Sequence, residues 1–145
     1  MPLNSENLRY VLLSIQPHYA TQIFDGTKTV ELRRSFPKLY QTGSVIIYVS
    51  TPVKAIVGGF HISRLLKADP DQIWKAAGNY AGVTRKQFDE YYDGVGQGYA
   101  IFIDDVWKYK SPIPLESLRK QFQNFLPPQN FRYISKSHAD SFRCY

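Results

Sequence analysis

Apolar residues in this chain come in short runs separated by polar breaks, and the runs differ in period. Residues 9–16 (RYVLLSIQ) form a continuous apolar run too short for a helix, which predicts a buried strand. Beyond Pro17, the residues Tyr19, Ala20, Ile23 and Phe24 share one helical face. Proline suits a first helical turn, and Gly26 suits the stop. Residues 27–34 alternate as a strand, 36–43 read as a loop, and 44–51 (SVIIYVST) as a second buried strand. Pro52 interrupts, and residues 53–68 resume as strand, with Gly58 and Gly59 marking a bulge or sharp bend. Residues 69–82 predict a helix opened by Asp69 and Pro70; residues 83–94 predict another, capped by Thr84 and ending near Gly94. A long kinked strand over 98–115, a short helix over 115–122 and an extended segment over 126–135 follow. Residues 136–145 read as a last helical turn or a frayed end. Short strands with helices between them predict an α+β fold: one domain over 1–145, a small, partly open β-barrel decorated with short helices.

One strand breaks the pattern. In GTKTVELRR (residues 26–34), Val30 and Leu32 point to one face, while Thr29, Glu31 and Arg33 point to the other. Lys28 sits where the chain leaves the Gly26 turn and need not obey the alternation. Two readings of these charges stay open on spacing alone. One is a solvated face with a surface ion pair, worth at most about 1 kcal/mol. The other is a cleft wall in which Glu31 orients Arg33 and Lys28 toward an anionic or polar ligand.

Composition narrows the partner class. Formal charge is +6 at pH 7, and there are eleven tyrosines. A basic surface favours polyanionic partners through counterion release, and tyrosines offer stacking faces for bases. The N-terminal residues lack a basic-then-apolar signal pattern, and no apolar stretch is long enough to span a bilayer, so a cytoplasmic protein without membrane contact is expected. Cys144 is the one cysteine, which excludes an internal disulfide.

The residues LSIQPHYATQIFDGTKTVELRRSFP followed by VIIYVSTPVKAIVGGFHI resemble an ASCH domain, a member of the PUA-like superfamily. The shared pattern is Ser14 and Pro17 ahead of a helix, then Gly26-x-Lys28-x-x-Glu31-x-Arg33, then a strand ending in Ser50-Thr51-Pro52. The resemblance runs from about Leu12 to Ile134 and takes in the later strands. It implies a ligand cleft between barrel and first helix, lined by Lys28, Glu31 and Arg33 and bordered by Ser50, Thr51 and Pro52. It also implies that the ligand is RNA or a nucleotide-like compound. Within such a cleft, Arg34 joins Lys28 and Arg33 as a phosphate contact. Tyr19 offers a stacking face, and Gln16 a hydrogen bond to a base edge. Gln129, which alternates with Phe131 and Tyr133 after two prolines, would close the cleft.

Two function classes follow. The first is an RNA- or nucleotide-binding module. The alternative is a small metal-independent hydrolase, with Lys28 and Glu31 as its catalytic pair: a ribonuclease, or an amidohydrolase of N4-acylcytidine as in some ASCH-like proteins. The amidohydrolase pattern requires a threonine three residues after the lysine, a position that Glu31 occupies here, so that mechanism does not carry over. Ser50 with Lys28 as base is a further nucleophile candidate. His18, His61 and His138 are scattered, so no metal site is expected, and no cofactor either. The glycines of residues 94–98 precede a strand rather than a helix and read as a turn, not a phosphate loop. Asp104 and Asp105, adjacent in a strand, point apart and form no working carboxylate pair.

Overall fold

A computed structural model describes residues 9–37 and 43–142. The loop expected over 36–43 is therefore described only at its ends, and Cys144 lies outside the described residues. In chain order the elements are β1 (Arg9–Ile15), α1 (Pro17–Asp25), β2 (Val30–Arg33), β3 (Gly43–Val49), β4 (Ala55–Ala68), α2 (Pro70–Ala77), α3 (Arg85–Tyr91), β5 (Gly98–Pro114), α4 (Leu115–Gln121), β6 (Phe131–Ser135) and α5 (Lys136–Ser141). A 3₁₀ turn, Gly78–Tyr80, follows α2 and shortens the helix expected over 69–82.

Local chemistry explains the boundaries. Pro17 sits in the first turn of α1, and Gly26 ends it in the left-handed conformation at φ 86°. The Asp69 side chain accepts the Gln72 N–H at the start of α2. Thr84 and Gln87 form a reciprocal capping box on α3.

The six strands make one sheet in the order β2-β5-β4-β3-β1-β6. Among the described residues, only the β1–β3 pair is parallel. The α+β class agrees with expectation, but the sheet is open: among the described residues, β2 and β6 are its two edges and share no ladder. Side chains join them instead, as described below.

β1 and β3 are buried on both faces, which is why they read as unbroken apolar runs rather than as alternation. Val11, Leu13, Val45 and Ile47 pack on Ala20 and Ile23 of α1, together with Phe60 and Ile101. Leu12, Ile46 and Ile56 face the other way, onto Leu118 of α4 and Ala139 and Phe142 at the C-terminal end. A third core lies under the β4–β5 insertion, where Ile73, Ala77, Phe88 and Tyr92 cover Val30, Leu32 and Ala100. The strand expected over 27–34 thus shrinks to four residues, and its apolar face feeds this side core rather than the main one.

The expected bulge is present, with ladder register shifting opposite and beside Gly58 and Gly59. A Cβ on Gly58 would lie 2.1 Å from the Trp107 carbonyl oxygen, a backbone atom that cannot swing away. Gly58→Ala is expected to lower stability by roughly 1–3 kcal/mol through this overlap. A thermal melt within error of the unsubstituted protein would contradict the close approach.

Candidate functional site at the sheet seam

Lys28 is immobilised before its side chain does anything. Its N–H donates to the Gln22 carbonyl at 3.0 Å, and the next N–H, that of Thr29, donates to the Tyr80 carbonyl at 2.9 Å. This pins the turn between α1 and the 3₁₀ segment. The side chain is 3% exposed, and its Nζ donates to the Ala81 carbonyl at 2.5 Å. Gly82 passes close enough that a Cβ there would lie 3.5 Å from the Lys28 Cβ. The ammonium also lies 5.0 Å from the centroid of the Tyr19 ring. Burial pulls the Lys28 amine below its ordinary pKa; Glu31 opposes that shift and Arg33 adds to it.

Strand alternation then sends Glu31 and Arg33 to the face opposite Val30 and Leu32. Glu31 is 6% exposed. Its Oε2 lies 3.8 Å from Lys28 Nζ and its Oε1 lies 3.7 Å from Arg33 Nη1. Both are contact ion pairs longer than hydrogen bonds, and Oε2 accepts none among the described residues. A solvated surface ion pair is therefore not what the strand carries: the cluster is buried, with two cations around one carboxylate.

Arg33 does a different job from its neighbours. Nη1 donates to the Ser14 carbonyl at 3.1 Å, and Nη2 donates to both the backbone carbonyl, at 3.3 Å, and the side-chain Oδ1 of Asn130. Ser14 belongs to β1, and Asn130 immediately precedes β6. The same Asn130 carbonyl accepts the Ser14 N–H at 3.1 Å, and Asn130 Nδ2 donates to Ser35 Oγ at 2.6 Å. One guanidinium thus holds edge strand β2 against the far end of the sheet.

The seam opens into a cavity of about 420 Å³. Of the residues expected at a ligand site, Lys28, Glu31, Arg33, Ser50, Gln16, Tyr19 and Gln129 line it. Arg34, Thr51 and Pro52 do not: Arg34 is exposed and uses its backbone N–H on the Tyr91 hydroxyl, while Pro52 borders a separate surface concavity. Thr51 is exposed in the turn after β3.

Sequence reasoning missed the α3 wall, formed by Gln87, Phe88 and Tyr91 with Val83 before them. Their spacing places them on one helical face, a signal available in the sequence but readable equally as core. The Tyr91 hydroxyl donates to the Leu32 carbonyl at 3.2 Å and accepts from the Arg34 N–H at 3.1 Å. Tyr92 bonds the Tyr99 carbonyl at 3.0 Å, with the Arg33 carbonyl at 3.2 Å. Burial raises both phenols, so they remain neutral donors through the physiological range. Asn130 was missed as well.

The model of the ASCH domain family matches residues 13–125. The chain is 30% identical over 128 residues to a Zymomonas mobilis protein named ASCH domain-containing ribonuclease, across 88% of this chain and 86% of that one. The crystal structure of ASCH from Zymomonas mobilis superposes with a TM-score of 0.83 at 27% identity, covering 94% of this chain and 93% of that one. The N-terminal domain of Staphylothermus marinus McrB shares the fold alone, at 10% identity and a TM-score of 0.60, with 93% of each chain covered.

Because the seam depends on a planar, multidentate donor, Arg33→Lys is expected to cost roughly 3 kcal/mol, as a single ammonium cannot reach Ser14 and Asn130 together. Denaturant titration reads this directly. A shift below about 0.5 kcal/mol, the size of an ordinary surface change, would mean that the seam does not need the guanidinium.

Proposed function

The chain belongs to the ASCH domain family, within the PUA-like superfamily, and we propose that it acts on RNA as a ribonuclease, holding one nucleotide unit in the seam cavity. The observation that carries this reading is the buried Lys28–Glu31–Arg33 cluster on the wall of a nucleotide-sized cavity. The name of the Zymomonas relative supports the reaction class.

RNA supplies its own nucleophile. The ribose 2′-oxygen attacks the adjacent phosphorus while the bond from phosphorus to the 5′-oxygen breaks. Glu31 takes the 2′-hydroxyl proton, and Lys28 gives a proton to the departing 5′-oxygen. The products are a 2′,3′-cyclic phosphate and a 5′-hydroxyl, so atoms and charge balance without a further reactant. A lysine lowered by burial is a better acid than a free one, and Arg33 adds a fixed positive charge near the phosphorane. Lys28 and Glu31 are nearly sealed from bulk water, so the reacting group has to enter the cavity to meet them. Tyr19 on α1 and Tyr91 on α3 supply aromatic surface for the base, and Gln16 and Gln129 supply amides for its edge.

A second reading is a binding module without turnover. It is favoured by the commitment of Arg33 to Ser14 and Asn130, which leaves the guanidinium a structural task. One experiment separates the two. Purified protein is incubated with labelled single-stranded RNA and the products are resolved by mass spectrometry, with Glu31→Gln alongside. Turnover to cyclic-phosphate ends is expected in the unsubstituted protein. Glu31→Gln is expected to lose at least about a hundredfold in rate while still binding RNA. Binding without cleavage by the unsubstituted protein would leave the module reading.

The pH profile gives an independent check. If Lys28 is the acid, the rate falls as pH rises through its folded pKa, which lies below the ordinary 10.5. A rate that holds level up to that ordinary value would remove Lys28 from the proton transfer.

A further inference from the structure

The α3 wall brings no net charge to the cavity: its lining residues Val83, Gln87, Phe88 and Tyr91 are uncharged, and within α3 the bases Arg85 and Lys86 match the acids Asp89 and Glu90. The turn after β3 also reaches the cavity. Ser50 lines the cavity, and its carbonyl accepts the Val53 N–H at 3.1 Å and the Lys54 N–H at 3.4 Å, so the turn ties Val53 and Lys54 to a cavity residue. Two concavities continue from it. One, about 530 Å³, is lined by Pro52, Val53 and Lys54 together with Arg119 and Lys120 of α4. The other, about 450 Å³, shares Val53, begins at Pro17 beside the cavity residue Gln16, and includes Lys108.

The four cations here are exposed and outnumber the two nearby acids, Glu116 and Asp25. Glu116 pairs with Lys120 at 3.6 Å, and Asp25 accepts from the Thr27 N–H and hydroxyl. The backbone adds a second observation. Lys54 lies at φ 51°, a left-handed conformation that a lysine adopts rarely, and it presents its side chain from a turn tied to α4 by the Leu115 N–H donating to the Lys54 carbonyl at 2.9 Å. A series of exposed cations along a shallow surface suits spaced phosphates; a sealed pocket would suit a single anion.

We propose that an RNA strand leaving the cavity passes over the 50–54 turn and is held through its phosphates by Lys54, Lys108, Arg119 and Lys120. This rests on the RNA reading of the cavity and adds a direction to it: the strand exits past Ser50, over the exposed cations beyond the 50–54 turn. The path is a second, sequence-independent binding surface. It makes long RNA a better ligand than a dinucleotide.

The test compares a labelled dinucleotide with a single strand of roughly a dozen nucleotides, measuring affinity across a salt series. The variant is Lys54→Gly, Arg119→Gln and Lys120→Gln combined; glycine tolerates the φ of position 54, so the turn is kept. For the long strand, the variant is expected to flatten the slope of log affinity against log salt by about 2, or about 0.7 for each phosphate no longer neutralised. Dinucleotide affinity and cleavage should be unchanged. Lys75→Gln with Lys86→Gln, on the insertion, should leave the slope as it was. An unchanged slope in the triple variant, with the unsubstituted protein still cleaving RNA, would overturn the path and leave the cavity reading standing. Failure of the unsubstituted protein to bind or cleave either RNA would overturn the cavity reading, and the path with it.

Discussion

The guanidinium of Arg33 closes a gap that the backbone leaves open. A six-stranded sheet with β2 at one end and β6 at the other has two unpaired edges, and edges are where sheets slip or find foreign partners. Here a side chain from β2 reaches the carbonyls of Ser14 and Asn130 and holds the ends together. The register of β2 is fixed independently, because Val30 and Leu32 must stay under Ile73, Ala77 and Phe88. A slip of one residue would turn those apolar side chains into the seam and the charges into a core. Glu31 therefore has nowhere to go but inward, two residues from Arg33 on the same face.

That placement creates an electrostatic problem which the fold alone does not solve. Two cations and one carboxylate sit nearly out of water, at ion-pair distances too long for hydrogen bonds. Desolvation of such groups is expensive, and loose pairs recover little of it. The same burial pulls the Lys28 amine below its ordinary pKa. A cluster with one positive charge in excess, beside a cavity, is better satisfied by an anionic ligand than by the apo protein. This is the physical link between a structural staple and the proposed RNA site.

Much of this was legible in the residues. Pro17 and Gly26 bound α1, the Asp69 and Thr84 caps mark α2 and α3, and the Gly58–Gly59 pair marks the bulge, because each of these is a local rule with a local cause. The spacing of Lys28, Glu31 and Arg33 left a solvated face and a cleft wall both open, and only the resemblance to ASCH domains implied the cleft. What escaped depends on contacts far apart in sequence. Asn130 lies 97 positions from Arg33, and nothing near it announces a carbonyl shared between two donors. The stripe of Gln87, Phe88 and Tyr91 has the spacing of a core face, and it is partly that, since Phe88 belongs to both core and cavity. Arg34, Thr51 and Pro52 fail to reach the cavity because each follows closely on a residue that does, and strand alternation or a turn directs it elsewhere.

The most direct measurement is a crystal structure of the protein with a dinucleotide whose reacting ribose carries 2′-deoxy or 2′-methoxy in place of the hydroxyl, so that binding is seen without cleavage. The seam account predicts one nucleotide inside the cavity, its phosphodiester beside Lys28 and Glu31 and its base against Tyr19 or Tyr91, with the Arg33 bonds to Ser14 and Asn130 intact. A dinucleotide bound elsewhere on the protein, with the cavity left to solvent, would contradict it.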